Sequence, residues 1–508
     1  MKLYFSVLTI FLSFTVFSQT PIVHTKSGKV AGYIENTIEV FKGIPFAEPP
    51  VGALRWKAPQ PVTAWKDLKI CTAFGASPMQ ADPKPFMVWS KEYLIPGSPI
   101  SEDCLYLNVW TANSKSKTKK PVFVYIYGGG FQSGGTACPI YDGVATAQKD
   151  VVFVSINYRV GVFAFLAHPE LTKEAPYHSS GNYGLLDMIA GLKWVKENIA
   201  AFGGDPDQVT IGGQSAGAFA VNFLCASPLA KGLFERAIAE SGGSILPSSL
   251  RPSLKLADAE KIGIKFANDL HCPDLVSLRN KSSEEIFKAM GGLKSPIEDG
   301  YFLPTSIMDI YQHGKQNDVP LLMGWNKEDI VAGPPVSAAN YISQINKQYG
   351  DQASQLLSVY PATNDQVAAK SQKELSRDQT FALQQFYWAN IQLHNGKSPV
   401  YIYNFNRQLP GYTPATEYGA FHTAEVAFAY DNLKFVDRPF TVVDHQLATR
   451  MSNYWANFIK TGNPNGKELT KWNKYNAKGS WVMILDENSG NQELPNKKQL
   501  ETLLQLYK

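Results

Sequence analysis

Gly213-Gln214-Ser215-Ala216-Gly217 fits the pattern G-x-S-x-G. Ahead of it, Val209-Thr210-Ile211 is a short β-branched run suited to a buried strand; behind it, residues 216–226 read as a helix that begins with small side chains. A serine on a sharp strand-to-helix turn is the setting of a nucleophile elbow, where the hydroxyl stays exposed because neighbouring glycines carry no Cβ to clash. Such a hydroxyl is a poor nucleophile until a base takes its proton, and the base works best when a carboxylate holds its tautomer. Acyl transfer also needs amide donors aimed at a developing alkoxide. Gly128-Gly129-Gly130 supplies backbone N–H groups directly after an apolar strand at 121–127, and the Ala216 N–H follows the serine.

These groups need a frame to carry them. Residues 121–127 and 151–157 are apolar without polar alternation, as in strands covered on both faces. Residues 185, 186, 189, 192, 195 and 199 are apolar at helical spacing. Further strands are expected at 209–212, 237–240, 319–324 and 400–405, with short edge strands at 22–31 and 39–43. Strands interleaved with helices point to an α/β fold with a central, mostly parallel sheet, and residues 247–317 and 331–396 read as long helical insertions. No repeat, low-complexity tract or linker divides residues 19–508, so one domain is expected.

Composition narrows the function classes. Of 508 residues, 44% are hydrophobic, ordinary for a globular protein with a sizeable core. The formal charge of +4 comes without a basic run, and no Cys/His spacing suits a metal, so a nucleic-acid partner or structural zinc has no support. Residues 1–18 read as a secretory signal peptide: Lys2 precedes an apolar run, and Val16 and Ser18 flank a cut before Gln19. That run is shorter than the roughly 20 apolar residues of a membrane span. Secretion or a periplasmic location is expected, where disulfides are permitted.

Residues 202–217, FGGDPDQVTIGGQSAG, resemble the serine signature of the type-B carboxylesterases, the cholinesterase-like branch of the α/β-hydrolase fold. The blocks FKGIPFAEPPVG from 41, SEDCLYLNVW from 101, YGGGF from 127, NYRVG from 157 and NYGLLD from 182 resemble the same family in the same order. The likeness runs from about residue 25 to the region of Trp472. It implies a serine esterase that passes through an acyl-enzyme on Ser215, with no metal or organic cofactor and a small-molecule ester as partner. In this fold the partners of the serine follow in the order acid, then histidine, on loops after strands. The strand at 319–324 leads into Trp325-Asn326-Lys327-Glu328-Asp329, and family register places the acid on Asp329, with Glu328 an open alternative. Among the later histidines, His394 precedes a strand and His445 sits in a helical stretch. His422 lies in the loop after the strand at 400–405, in a setting that matches the family's histidine.

The resemblance implies more. The oxyanion donors become Gly129, Gly130 and Ala216. Arg55 with Glu102 resembles a structural ion pair, and Ser241 resembles a serine packed behind the nucleophile. Cys71 and Cys104 match the family's first disulfide, closing a loop whose ends lie 33 residues apart; such a closure stabilises by roughly 3–4 kcal/mol in the chain-entropy model. Trp89 in that loop, with Phe131, Trp325 and Phe421, suggests an apolar, aromatic entrance. Two other readings fit the same residues: a catalytically silent cholinesterase-like binding protein, and an acyltransferase to an alcohol other than water.

Overall fold

The computed structural model describes residues 20–97, 99–247, 254–289, 291–329 and 333–507. The signal-peptide reading of residues 1–18 lies outside them. Eleven strands form the main sheet: β1 (Tyr33–Glu35), β2 (Ile38–Pro45), β3 (Tyr106–Thr111), β4 (Lys120–Ile126), β5 (Val152–Ile156), β6 (Gly204–Gln214), β7 (Arg236–Glu240), β8 (Leu321–Asn326), β9 (Val400–Phe405), β10 (Trp481–Leu485) and β11 (Gly490–Glu493). Their spatial order is β11-β10-β9-β8-β7-β6-β4-β5-β3-β2-β1. From β10 across to β5 every pairing is parallel, whereas β3, β2, β1 and β11 join antiparallel at the two sides.

The central strands lack polar alternation because both faces are covered. Val122, Phe123, Val124, Tyr125 and Ile126 of β4 are all buried. Helices α1 (Tyr183–Asn198), α2 (Ala216–Ala226), α3 (Asp365–Arg377), α4 (Leu383–Asn395) and α5 (Val442–Thr461) supply much of the rest of the fold, and α1, α2, α4 and α5 lie against the sheet. Among the described residues, the insertions hold helices from Leu256 to Gln312 and from Ala338 to Asn395, as their composition suggests. Among the described residues no helix is long and apolar enough to cross a membrane.

Two buried ion pairs tie loops to this frame. Arg159, just beyond β5, meets Asp187 of α1 with Nε at 2.8 Å and Nη2 at 2.7 Å. Arg55 grips Glu102 in the same forked way, at 2.7 and 2.5 Å, and its Nη1 donates to the carbonyls of Arg279 and Lys281. Paired in this forked geometry, such charges hold the loops in place, and removing one partner strands the other in a dry site.

The expected Cys71–Cys104 disulfide is not formed; all five cysteines are buried free thiols. Cys71 follows the short strand Lys69–Ile70 of a separate three-stranded sheet, and its backbone bonds Ala31 and Lys42. Cys104 instead lies in a small cavity with Met79, Arg55 and Arg159. The neck of the 72–102 loop is drawn together by backbone pairing of Ser77 and Pro78 with Ile100 and Ser101, so the residue sharing Cys104's cavity is Met79.

Behind the sheet edge, the Glu240 carboxyl is fully buried and accepts hydrogen bonds from Trp455 Nε1 at 2.7 Å and from the Tyr430 hydroxyl. Burial pushes its pKa from 4.5 up to about 8, although both hydrogen bonds favour the charged form.

Two tests follow from these features. Denatured without reduction, the protein should take up five equivalents of iodoacetamide by intact mass; an uptake of three would reveal a bridge. Between pH about 4.5 and about 8 the unfolded chain ionises Glu240 while the folded protein keeps its proton, so this group removes stability as pH rises through that window. Glu240→Gln should therefore lose less melting temperature than the parent between pH 5 and 8.5. Parallel melting curves for the two would contradict the neutral buried acid.

Candidate active site

β6 ends at Gln214 and α2 starts at Ala216, so Ser215 alone makes the turn. Its backbone sits at φ 56°, ψ −123°, a strained conformation for a residue with a side chain. Ser215 N–H donates to the Glu240 carbonyl at 2.9 Å, which anchors the turn on β7. The flanking glycines are required by crowding: a Cβ on Gly213 or on Gly217 would strike the Ile126 carbonyl oxygen well inside van der Waals contact. A Cβ on Gly128 would stand 3.1 Å from Ser215 Cβ, so the glycine loop after β4 lies directly beside the serine. Gly129 and Gly130 have φ of 115° and 64°, and Gly129 O accepts from the amides of Gln132 and Ser133. Among the described residues the N–H groups of Gly129, Gly130 and Ala216 donate to no other protein group. Free amides near a helix N-terminus suit a developing negative charge.

Of the two carboxylates left open by the sequence, Asp329 meets the imidazole. Its Oδ1 lies 2.5 Å from His422 Nδ1, and its Oδ2 accepts from Asn326 N–H at 3.0 Å. Glu328 turns to the histidine loop instead, accepting from Ala420 N–H at 2.8 Å while its own N–H donates to the Ala420 carbonyl. Asn326 Nδ2 adds bonds to the Phe421 carbonyl, at 2.8 Å, and to Glu425. The loops after β8 and β9 are thus laced together on both sides of His422. His394 and His445 lie in α4 and α5.

Electrostatics follow from burial. Desolvation alone lowers the His422 pKa, but the charge of Asp329 and its hydrogen bond outweigh it, leaving the ring above its ordinary 6.5. Glu425 is pushed up to about 8, first by burial and then by the charges of Asp329 and Glu240. Burial thus favours the neutral form of the Glu425 carboxyl behind the histidine, and Asp329 is the carboxylate that meets the ring.

Several neighbours of His422 carried no usable signal in the sequence. Gln214, the variable residue of G-x-S-x-G, places its amide nitrogen 3.3 and 3.5 Å from the two ring nitrogens. A point nearly equidistant from both lies across the ring face and leaves the Nε2 lone pair open. Among the described residues the imidazole's hydrogen bonds go to Asp329 and Gln214. Phe381, from the second helical insertion, stacks on the imidazole at 4.7 Å and 20°. Trp89 stands edge-on to the ring at 6.2 Å and donates to Thr423 Oγ1. Phe421 packs on Tyr93. Trp325 and Phe131 leave the expected entrance: Trp325 is buried in β8, and Phe131 points into a cluster with Tyr158, Phe165 and Phe223. Ser241 is buried at φ 53°, donating its N–H to the Gly324 carbonyl.

Comparison with known proteins agrees with this arrangement of strands and loops. Residues 19–503 match the model of the "Carboxylesterase family". The chain is 35% identical over 497 residues to fumonisin B1 esterase of Sphingopyxis macrogoltabida, covering 92% of this chain and 87% of that protein. It is also 35% identical over 495 residues to the para-nitrobenzyl esterase of Bacillus subtilis (strain 168), covering 92% and 94%. A solved structure of PNB esterase superposes with a TM-score of 0.82 at 32% identity, over 96% of this chain and 99% of that one. The fold is the α/β-hydrolase fold, and the chain belongs to the carboxylesterase family: it is a carboxylic ester hydrolase.

Proposed function

We propose that hydrolysis runs through an acyl-enzyme on Ser215, with His422 as general base and Asp329 as the group that orients it. The observation that carries this reading is the 2.5 Å bond between Asp329 Oδ1 and His422 Nδ1, one loop away from the strained serine. With Nδ1–H held by Asp329, the Nε2 lone pair is available to the serine proton. Ser215 Oγ adds to the ester carbonyl as that proton passes to Nε2. The alkoxide so formed accepts from the N–H groups of Gly129, Gly130 and Ala216. Collapse expels the alcohol, which takes the proton back from His422. Water then adds to the acyl-enzyme by the same route, releasing the acid and restoring the serine. In this reading the serine–imidazole bond forms as substrate fills the site, a common difference between resting and substrate-bound enzymes.

The two relatives are named fumonisin B1 esterase and para-nitrobenzyl esterase. Around His422 in this chain stand Trp89 and the neutral amide of Gln214. That lining supports an uncharged ester with apolar groups near the reacting carbonyl.

Ser215→Ala should lower turnover of a short p-nitrophenyl ester by roughly 10⁴-fold or more; retention of activity within tenfold of the parent would overturn the assignment. The pH dependence is a separate check. The base must be neutral to accept the proton, and the net effect of Asp329 on His422 raises its pKa. kcat/KM should therefore fall on acidification with a midpoint above 6.5. A midpoint near 5 would contradict the raised imidazole.

A further inference from the structure

The second helical insertion reaches the site by an unusual route. Between α3 and α4 the chain stays helical but widens into a π-turn over Asp378–Ala382. Widening admits one extra residue, which rotates every later side chain by about 100° around the axis. Such turns persist where surrounding groups enforce them, and here the enforcing group is Asp378. Its carboxylate is fully buried and accepts from Tyr360 Oη at 2.9 Å, Arg377 Nε at 2.7 Å and Asn496 Nδ2 at 2.7 Å.

From this pinned turn, side chains reach all three loops of the site. Arg377 Nη1 donates to the Lys327 carbonyl at 3.1 Å, two residues before Asp329. Gln385 Nε2 donates to the carbonyls of Ala239 and Gly242, and Gly242 packs against the Ser215 carbonyl oxygen. Gln384 Oε1 accepts from the amides of Ile245 and Leu246 in the same turn. Between these anchors Phe381 lays its ring on His422, nearly parallel at 4.7 Å. Among the described residues the ring is also approached by Asp329 from the acid turn, Gln214 from the elbow, Trp89 from the 72–102 loop, and Glu425 from the segment after the histidine.

We propose that Phe381 is a positioning residue for ester hydrolysis: its ring holds the plane of His422 and favours the imidazolium formed when Ser215 gives up its proton. The inference rests on the Ser215–His422–Asp329 reading. Its chemical basis is the negative face of an aromatic ring, which attracts a cation set over it and leaves a neutral imidazole almost unaffected. The stack also limits rotation of the ring, so Nδ1 stays on Asp329 while Nε2 gains and returns a proton. Phe381 stacks on the base, so a contribution made through His422 belongs in kcat.

The test compares Phe381→Leu, Phe381→Met and Phe381→Tyr with the parent on a short p-nitrophenyl ester, with kcat expressed per site labelled by an organophosphate so that only competent protein is counted. Loss of the aromatic face in the Leu and Met variants should lower kcat by about 3- to 30-fold, with KM within about twofold. The acid limb of kcat/KM should move to lower pH, since the imidazolium has lost a stabilising partner, and Phe381→Tyr should recover most of the parent's kcat. Unchanged kcat and an unshifted acid limb in both aliphatic variants would overturn the proposal. So would a rise in KM at constant kcat, which would make Phe381 a wall of the substrate pocket. Ser215→Ala separates the two levels: if it keeps its activity or still takes the organophosphate, the triad reading fails, whatever the Phe381 variants do.

Discussion

The carbonyl oxygen of Ile126, at the end of β4, lies against Gly213 and Gly217 on either side of the serine. This close approach of two backbones is the constraint on which the site depends. It presses the elbow onto the neighbouring strand, holds Ser215 at its unfavourable φ, and brings the glycine loop after β4 beside the nucleophile. A side chain at either glycine would push β6 and α2 away from β4 and separate the serine from the amides of Gly129 and Gly130. Strain at Ser215 persists because the parallel strands around it fix both ends of the turn.

Parallel strands also explain why distant residues converge. β4, β6, β7, β8 and β9 run in one direction, so the loops leaving their ends gather at one edge of the sheet. That edge collects the glycine loop, Ser215, Ser241, Asp329 and the loop bearing His422. The serine is one residue past its strand and rigid; the histidine is far past its strand and needs bracing. Glu328, Asn326 and Glu425 brace it from one side, and the pinned helix with Phe381 from the other.

Burial governs the charges in the same region. It favours the neutral forms of Glu240 and Glu425, whereas Asp329 meets the histidine it orients. Asp329, by its charge and its hydrogen bond, outweighs the desolvation of His422 and raises its pKa, and Glu425 adds a smaller push in the same direction.

Much of this was legible in the chain. Short-range chemistry decided it: glycines around Ser215, the glycine run after an apolar strand, and strands at 209–212, 237–240 and 400–405 whose burial shows as short, mostly apolar runs. The Arg55–Glu102 pair was legible too, through resemblance to the family. Other features lay beyond local pattern. Asp329 and Glu328 are adjacent acids in one turn, and only the loop packed against them decides which one faces the ring. Cys71 and Cys104 suggested a bridge through resemblance to the family, yet both thiols are free and Met79 lines the small cavity beside Cys104. Phe381 was unreadable because a π-turn depends on Asp378 finding Tyr360 and Asn496, residues that neighbour it only after folding. The sequence by itself determined the strands, the elbow and the kinds of group available, because those depend on neighbours along the chain. The tertiary structure alone decided which carboxylate, which cysteine neighbour and which aromatic ring meet at the site, because those contacts are set by how separate segments pack.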